Sequence, residues 1–428
     1  MLVLVVAEGC SGAQKTAPPP PPSYTLPPLQ EPGKPYHTPR AGEGFRTEVL
    51  GKEVAVPPRD RSSVTAWDLG MVAVAPGVTQ NEVLPFASLY LWRRPDEDNF
   101  LRAIIVGVYN DIFVSKSSQP LRPFEGILGL RTVTLPRADA DYVDGERIKE
   151  EELYWGKIQP AIGVGYREDL EEPGANDNML SVSLLAEPTY LYFEEGPDTA
   201  DNFVEPQDTF EGRGHFMVRL DAVERNLLEL PHRGLALGSD LVYAHRTNWE
   251  DWGIDRKESH KTGKDYVYFT GYMVGAGGVP LVDSDRHRLV GSIHGGTGDS
   301  LDRFSALRVG GGPSGDEFDS LWRPLVPGAL LDEFATNHYV IALGEYRWEA
   351  IFFTYLSVRS SVAYVDRERD LGAERGERDD FLYSIGWRIT TGFLFETRMV
   401  LDYNYNTGVL RHGDFGGHEV VVHMSGSF

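Results

Sequence analysis

Cysteine is nearly absent: Cys10 is the one thiol in 428 residues. That excludes a disulfide framework and any Cys-based zinc or iron–sulfur site. No run of about 18 apolar residues occurs, so no helix is expected to cross a membrane. A spanning β-barrel is not excluded, because its strands alternate and leave no hydropathy peak. Basic charge is also scarce, with 41 Lys and Arg against 64 Asp and Glu and a formal net charge of −23. A nucleic-acid binder needs a basic footprint to displace counterions, so that class is set aside. What is plentiful is glycine, 46 residues, and aromatics, with 20 Tyr, 20 Phe and 8 Trp. Together they suit many strands better than long helices.

The first ten residues, ending in Cys10, read as a leader or a lipoprotein-type signal, with Cys10 the candidate lipidation site. Residues 11–61 carry APPPPP, LPPLQEPGKP and VPPRD. So many prolines and so few apolar residues predict a disordered, Pro-rich tether. The folded unit is expected over 62–428.

Within that unit the dominant signal is period two. Phe381, Tyr383, Ile385, Trp387 and Ile389 alternate with Leu382, Ser384, Gly386, Arg388 and Thr390. Met399, Leu401, Tyr403 and Tyr405 alternate with polar neighbours, and Val420, Val422, Met424 and Phe428 share one face of the closing segment. Period two is strand geometry. These runs exceed the 5–6 residues common in soluble sheets and match the roughly 9–11 that a tilted strand needs to cross a bilayer. Further strands are expected at Phe86–Arg93, Leu101–Lys116, Phe124–Leu135, Ile158–Arg167, Leu180–Phe193, His215–Asp221, Leu235–His245, Tyr266–Leu281, His287–His294, Phe304–Val309, Tyr339–Trp348 and Phe353–Asp366. Acidic segments between them, such as Asp139–Glu152, Glu194–Gln207, Glu250–Lys264 and Glu368–Asp380, read as loops. The expected fold is all-β: a transmembrane antiparallel β-barrel of about 14–16 strands, sixteen fitting best. A soluble sandwich would carry charge on its outer face, and a propeller would show a repeat that is missing here. The aromatic Phe428, closing the last strand with Met424 and Val422, reads as a C-terminal assembly signal, and the bacterial outer membrane is the expected location.

Four stretches carry a family resemblance. Asp221–Gly234 has an acidic strand end, Asn226, Pro231 and a restarting Gly. Gly310–Gly312 is followed by Leu321–Pro324. Gly344–Arg347 contains Glu-Tyr-Arg, and Tyr364–Asp366 ends a strand in aromatic-x-Asp. In this order they resemble the BamA/TamA-type outer-membrane assembly barrels, the bacterial surface antigen family, over residues 215–428. Pro324 and Leu325 stand where the family has a glycine and an aromatic. The Pro-rich segment stands where the family carries POTRA modules, so the resemblance is to a barrel without them.

The resemblance implies that Arg323 folds into the lumen and pairs with Asp366, with Tyr364 alongside and Glu345 nearby, as a lock on the inward loop. It implies a role in outer-membrane protein or lipid insertion, secretion or anchoring. The implied partners are outer-membrane lipids and a periplasmic or POTRA-bearing protein. A passive porin-like channel is the first alternative. The second is an outer-membrane hydrolase built on His294–Ser300, which lacks the G-x-S-x-G elbow. Asp139–Gly145 is out of register for a calcium loop. No enzyme activity, cofactor or metal is expected.

Overall fold

The computed structural model describes residues 26–30, 33–34, 36–49, 51–76, 82–139, 142–143, 145–170, 178–254, 264–313, 321, 323–370, 375–394, 397–411 and 413–427. Sixteen strands form one closed antiparallel barrel. They are β1 Ser63–Ala75, β2 Glu82–Arg93, β3 Asn99–Ile105, β4 Tyr109–Ser117, β5 Phe124–Asp139, β6 Leu153–Asp169, β7 Met179–Glu195 and β8 Thr209–Arg225. The second half comprises β9 Pro231–Arg246, β10 Asp265–Gly278, β11 His287–Asp299, β12 His338–Ile351, β13 Thr354–Asp370, β14 Arg375–Leu394, β15 Thr397–Arg411 and β16 Asp414–Ser427. Each strand pairs with its neighbours in sequence, and β16 closes on β1 from Ser427 opposite Ala66 to His418 opposite Ala75.

The alternation sets the two faces. On β6, Ile162 and Val164 are 60% and 63% exposed on the outside, whereas Gln159 is buried inside. On β14, Phe381, Tyr383, Ile385 and Trp387 face outward, and Leu382, Ser384, Arg388 and Thr390 are buried within. An apolar exterior wrapping a whole barrel far exceeds the few hundred Å² a soluble monomer exposes. Closure removes the unpaired strand edges that hydrocarbon cannot solvate. Short turns such as Phe352–Phe353 lie at the end holding the start of β1 and the end of β16. Long connections, including 196–208, 247–264 and 300–337, lie at the opposite end. In outer-membrane barrels short turns are periplasmic and long loops extracellular, which orients the molecule.

The expected Asp221–Gly234 hairpin forms. Its turn closes on Asn226, whose side-chain oxygen accepts from Leu228 N at 3.0 Å and Leu230 N at 3.1 Å, and Pro231 opens β9.

Five expectations are corrected. Leu101–Lys116 is two strands, because the chain reverses at Val106–Val108 with Gly107 at φ +85°. Phe304–Val309 lies outside the wall, its strand Leu307–Val309 pairing only with Phe334–Thr336. Ser63–Ala75 is a wall strand that alternation did not reveal. Glu368–Asp380 is largely strand, the β13–β14 ladder running on from Asp366 opposite Asp379 to Asp370 opposite Arg375. The expected tether, 11–61, is ordered over its described part. Phe45–Val49 and Lys52–Val56 form a hairpin, and Phe45 and Thr38 are buried. Residues 1–25, with Cys10, lie outside the described residues, as do Phe428 and parts of the Asp139–Gly145 loop.

Candidate functional site in the barrel lumen

The connection between β11 and β12 turns back into the barrel. Its short hairpin, Leu307–Val309 with Phe334–Thr336, is part of an apolar cluster that includes Val326 and Ala329 from the loop and Ile341, Ala363, Val365, Leu382 and Val409 from the wall. Leu330 of the loop packs on Val72, Val74 and Val421. Part of the lumen wall under the loop is therefore apolar. Two glycines permit the close approach: a Cβ on Gly311 would lie 2.0 Å from the Ala329 carbonyl, and one on Gly310 would lie 2.2 Å from that of Leu330.

Polar latches hold the loop at several points. Glu419 of β16 accepts from the backbone N–H of Gly312 and from that of Gly328 at 3.0 Å, and from Asn404 Nδ2 at 3.0 Å. Asn406 Nδ2 donates to the Pro327 carbonyl at 2.9 Å. Arg411 of β15 forms a two-pronged ion pair with Glu333, both side chains buried. Arg246 of β9 does the same with Asp302 at the loop's start, stacking over Trp249 with its Cζ 4.1 Å from the ring centroid. Buried pairs of this kind cost much desolvation, so they fix position more than they add stability.

The residues singled out in the sequence sit in different places. Arg323 lies on the loop and donates to the Gly311 and Pro313 carbonyls, both at 3.3 Å. Asp366 accepts from the Thr336 hydroxyl and from Asn337 N and His338 N, each at 3.0 Å, where the chain re-enters β12. The two thus serve separate parts of the loop. The reason is parity: Ala363 and Val365 face the lumen, whereas Asp366 shares the side of Tyr364, whose ring lies 5.2 Å from that of Phe381 on the outer face. Glu345 does face the lumen. It accepts from Arg347 Nε at 2.8 Å and Ser357 Oγ at 2.9 Å, beside Arg359, which reaches Asp402 at 2.5 Å. Val422 and Met424 lie on the outer face of β16, opposite Met71 and Leu69 of β1. At His294–Ser300 the Ser300 hydroxyl donates to Asp299 at 3.0 Å. His294 lies on the inner wall, its ring 6.0 Å from that of Tyr272. Glu419, Glu333 and Arg411 escaped the sequence reading. For Glu419 and Arg411 the one signal was a charged residue on the strand face opposite the apolar one; Glu333, on the loop, had none.

A second set of contacts lies at the periplasmic end, where the N-terminal segment crosses the turns after β8, β10 and β12. Tyr36 donates to Glu349 at 2.5 Å, and Thr38 donates to Glu349 at 2.8 Å and to Asp285 at 2.8 Å. Burial, and then the neighbouring Glu349 carboxylate, push the Tyr36 phenol well above its ordinary pKa, so it stays a donor. Ala41 N donates to the Arg225 carbonyl at 2.9 Å. Arg59 and Arg61 pair with Glu229 at 2.5 and 2.8 Å, and Phe45 meets Phe352 edge-on at 5.5 Å. Beside the inward loop, a cavity of about 540 Å³ remains along strands β2 to β10.

A closed antiparallel barrel with an apolar exterior, a charged interior and short turns at its terminal end is a transmembrane β-barrel of the bacterial outer-membrane type. No protein-family model and no curated protein matches the chain. Among solved structures, it is similar to CdiB from Acinetobacter baumannii, with TM-score 0.46 and 10% identity over 91% of this chain and 64% of that one. It is also similar to BamA from Haemophilus ducreyi lacking POTRA domains 1-3, with TM-score 0.49 and 11% identity over 90% of this chain and 75% of that one. OccK10 (OpdN) of Pseudomonas aeruginosa gives TM-score 0.33 and 12% identity over 86% of this chain and 99% of that one. The chain spans just under two thirds of the length of the CdiB structure.

Proposed function

We propose that this barrel belongs to the assembly and translocation class, acting in outer-membrane protein or lipid insertion, secretion or anchoring, and that it is not a passive pore. The supporting observation is a lumen obstructed by the chain itself. Wall residues Glu419, Arg411 and Arg246 hold the inward loop, and the segment around Tyr36–Arg61 crosses part of the other end, at Glu229, Asp285 and Glu349. A passive porin keeps a water-filled channel through its barrel. Outer-membrane lipids and a periplasmic or POTRA-bearing protein are the partners this reading requires.

Planar-bilayer recording of the full chain tests it. The expected result is little or erratic conductance. A steady step of one size overturns the reading in favour of the porin-like channel. In cells, depletion should lower the amount of other outer-membrane proteins or of a secreted cargo. An unchanged outer-membrane and secreted protein profile would remove the assembly role.

A further inference from the structure

The lumen cavity runs against the charge of the chain. The protein carries a formal charge of −23, yet basic side chains outnumber carboxylates two to one in the cavity lining. Much of that excess is answered from just behind the lining, where Asp169 pairs with Arg94 and Glu211 with Arg213.

The carboxylates that line the cavity are already engaged. Asp111 takes Arg102 at 3.0 Å, Glu125 takes Arg167 at 3.2 Å, Asp221 takes Arg225 at 3.0 Å, and Asp240 takes Arg219 at 2.6 Å and His215 at 2.8 Å. Behind them Glu187 is shared among Arg131 at 3.6 Å, Arg213 at 3.3 Å and His215 at 3.1 Å. Lys157 faces the same space from β6, half-buried, and its ammonium makes no hydrogen bond or ion pair with the described residues. Its charged neighbours are Arg213 and Arg131 and, opposing them at longer range, Glu211 and Glu187; holding such a cation partly out of water without a directly paired carboxylate is costly.

The remaining lining mixes aromatic and apolar side chains with the polar Gln159, Ser181, Ser183, Thr270 and Ser305. Arg167 lies over Phe100 at 5.2 Å, Arg213 over Tyr268 at 6.0 Å, and Arg219 over Tyr272 at 5.7 Å. These rings set the guanidinium planes. Met179, Met217 and Trp155 add apolar surface. The volume of about 540 Å³ falls in the range of small-ligand sites.

We propose that the lumen cavity is a binding site for a small amphiphilic anion, a phosphate or carboxylate head on an aromatic or acyl body, with Lys157 as counter-charge to the head. This holds whether the barrel assembles, transports or anchors, because it concerns a ligand and not a conducting path. A lipid fragment and a free metabolite would share this chemistry. Inorganic phosphate lacks the apolar body.

The test is calorimetric titration of the full chain, held in amphipol, with 1-naphthyl phosphate. One saturable site is expected. Inorganic phosphate should bind far more weakly, and neutral 1-naphthol should not displace the ligand. Lys157→Gln should weaken binding by at least about tenfold, the scale of one hydrogen bond to a charged group. Lys157→Arg should largely preserve it. Met217→Glu, which places a carboxylate in the cavity, should abolish it, and it decides the matter if Lys157→Gln does not fold. The proposal is overturned by an absence of saturable binding, by inorganic phosphate binding as tightly as the naphthyl ester, or by wild-type affinity in either folded loss-of-site variant.

Discussion

Arg411 and Glu333 tie the last hairpin of the barrel to the return arm of the inward loop through two guanidinium nitrogens and two carboxylate oxygens. The Arg411 side chain has no solvent exposure and that of Glu333 has 4%. Removing one partner strands the other charge, at a cost of about 3–5 kcal/mol. Arg411→Ala and Glu333→Ala should therefore each lower the denaturant midpoint and open the loop to protease. Replacing both together with Met and Leu should cost far less than the sum of the two, since no unpaired charge remains. Additive losses would show that the pair does not latch the loop.

Glu419 provides a subtler test. Its oxygens accept from Gly312 N, Gly328 N and Asn404 Nδ2. Glu419→Gln keeps the shape but turns one acceptor into a donor that faces another donor. An unsatisfied buried group costs about 1–3 kcal/mol. Proteolysis within 300–337 should become faster while the heat-modified gel shift of the barrel persists. Wild-type protection of the loop would count against Glu419 as a latch.

The N-terminal segment should be separable from the barrel. Phe45→Ala removes the ring packed against Phe352, and truncating a buried Phe costs about 3–5 kcal/mol. Glu229→Ala frees Arg59 and Arg61. Combined, the two changes should expose the 36–61 segment to protease added from the periplasmic side and leave the barrel's unfolding midpoint within error. High salt should weaken what remains, because the Arg40–Glu224 pair that survives is partly solvent-accessible. Coincident loss of segment and barrel would show instead that the segment is needed for folding.

Where one face met lipid and the other was polar, the sequence was legible. That is why β14, β15 and β16 stood out. On β1 the inner positions Val64, Ala66, Val72 and Val74 are also apolar; Val72 and Val74 back the inward loop, and alternation fades. The Val106–Val108 reversal sits inside an apolar stretch with only Gly107 to mark it. The N-terminal segment misled because its proline content resembles a spacer. Its order comes from charge pairs and one buried Phe, which composition does not report. The Glu-Tyr-Arg stretch marks a family likeness but not the inward Glu345–Arg347 pair, which only the folded wall reveals. The Arg323–Asp366 expectation ignored strand parity, which puts Asp366 on the side of Tyr364. The loop's real anchors, Glu419 and Arg411, lie far along the chain from it, and their pairing is visible only after the barrel closes.

The closing strand allows lipid-facing and lumen-facing effects to be compared one residue apart. Val422 is 39% exposed on the outer face, paired with Met71 and Leu401 midway along β16. An arginine there enters hydrocarbon, at about 2–4 kcal/mol near the midplane. Val421 points inward against Val72, Val74 and Leu330, so Val421→Ala should loosen the loop without disturbing insertion. For Phe428, the proposed assembly signal, the comparison is with an interfacial site, where a charge costs only about 0–1 kcal/mol. Folding into preformed vesicles should accordingly suffer strongly from Val422→Arg and hardly at all from Phe428→Asp. In cells the order should change: a severe assembly defect for Phe428→Asp, out of proportion to its energy, marks the terminus as a recognition signal. Equal, mild effects of Phe428→Asp in vesicles and in cells would reduce Phe428 to one more lipid contact.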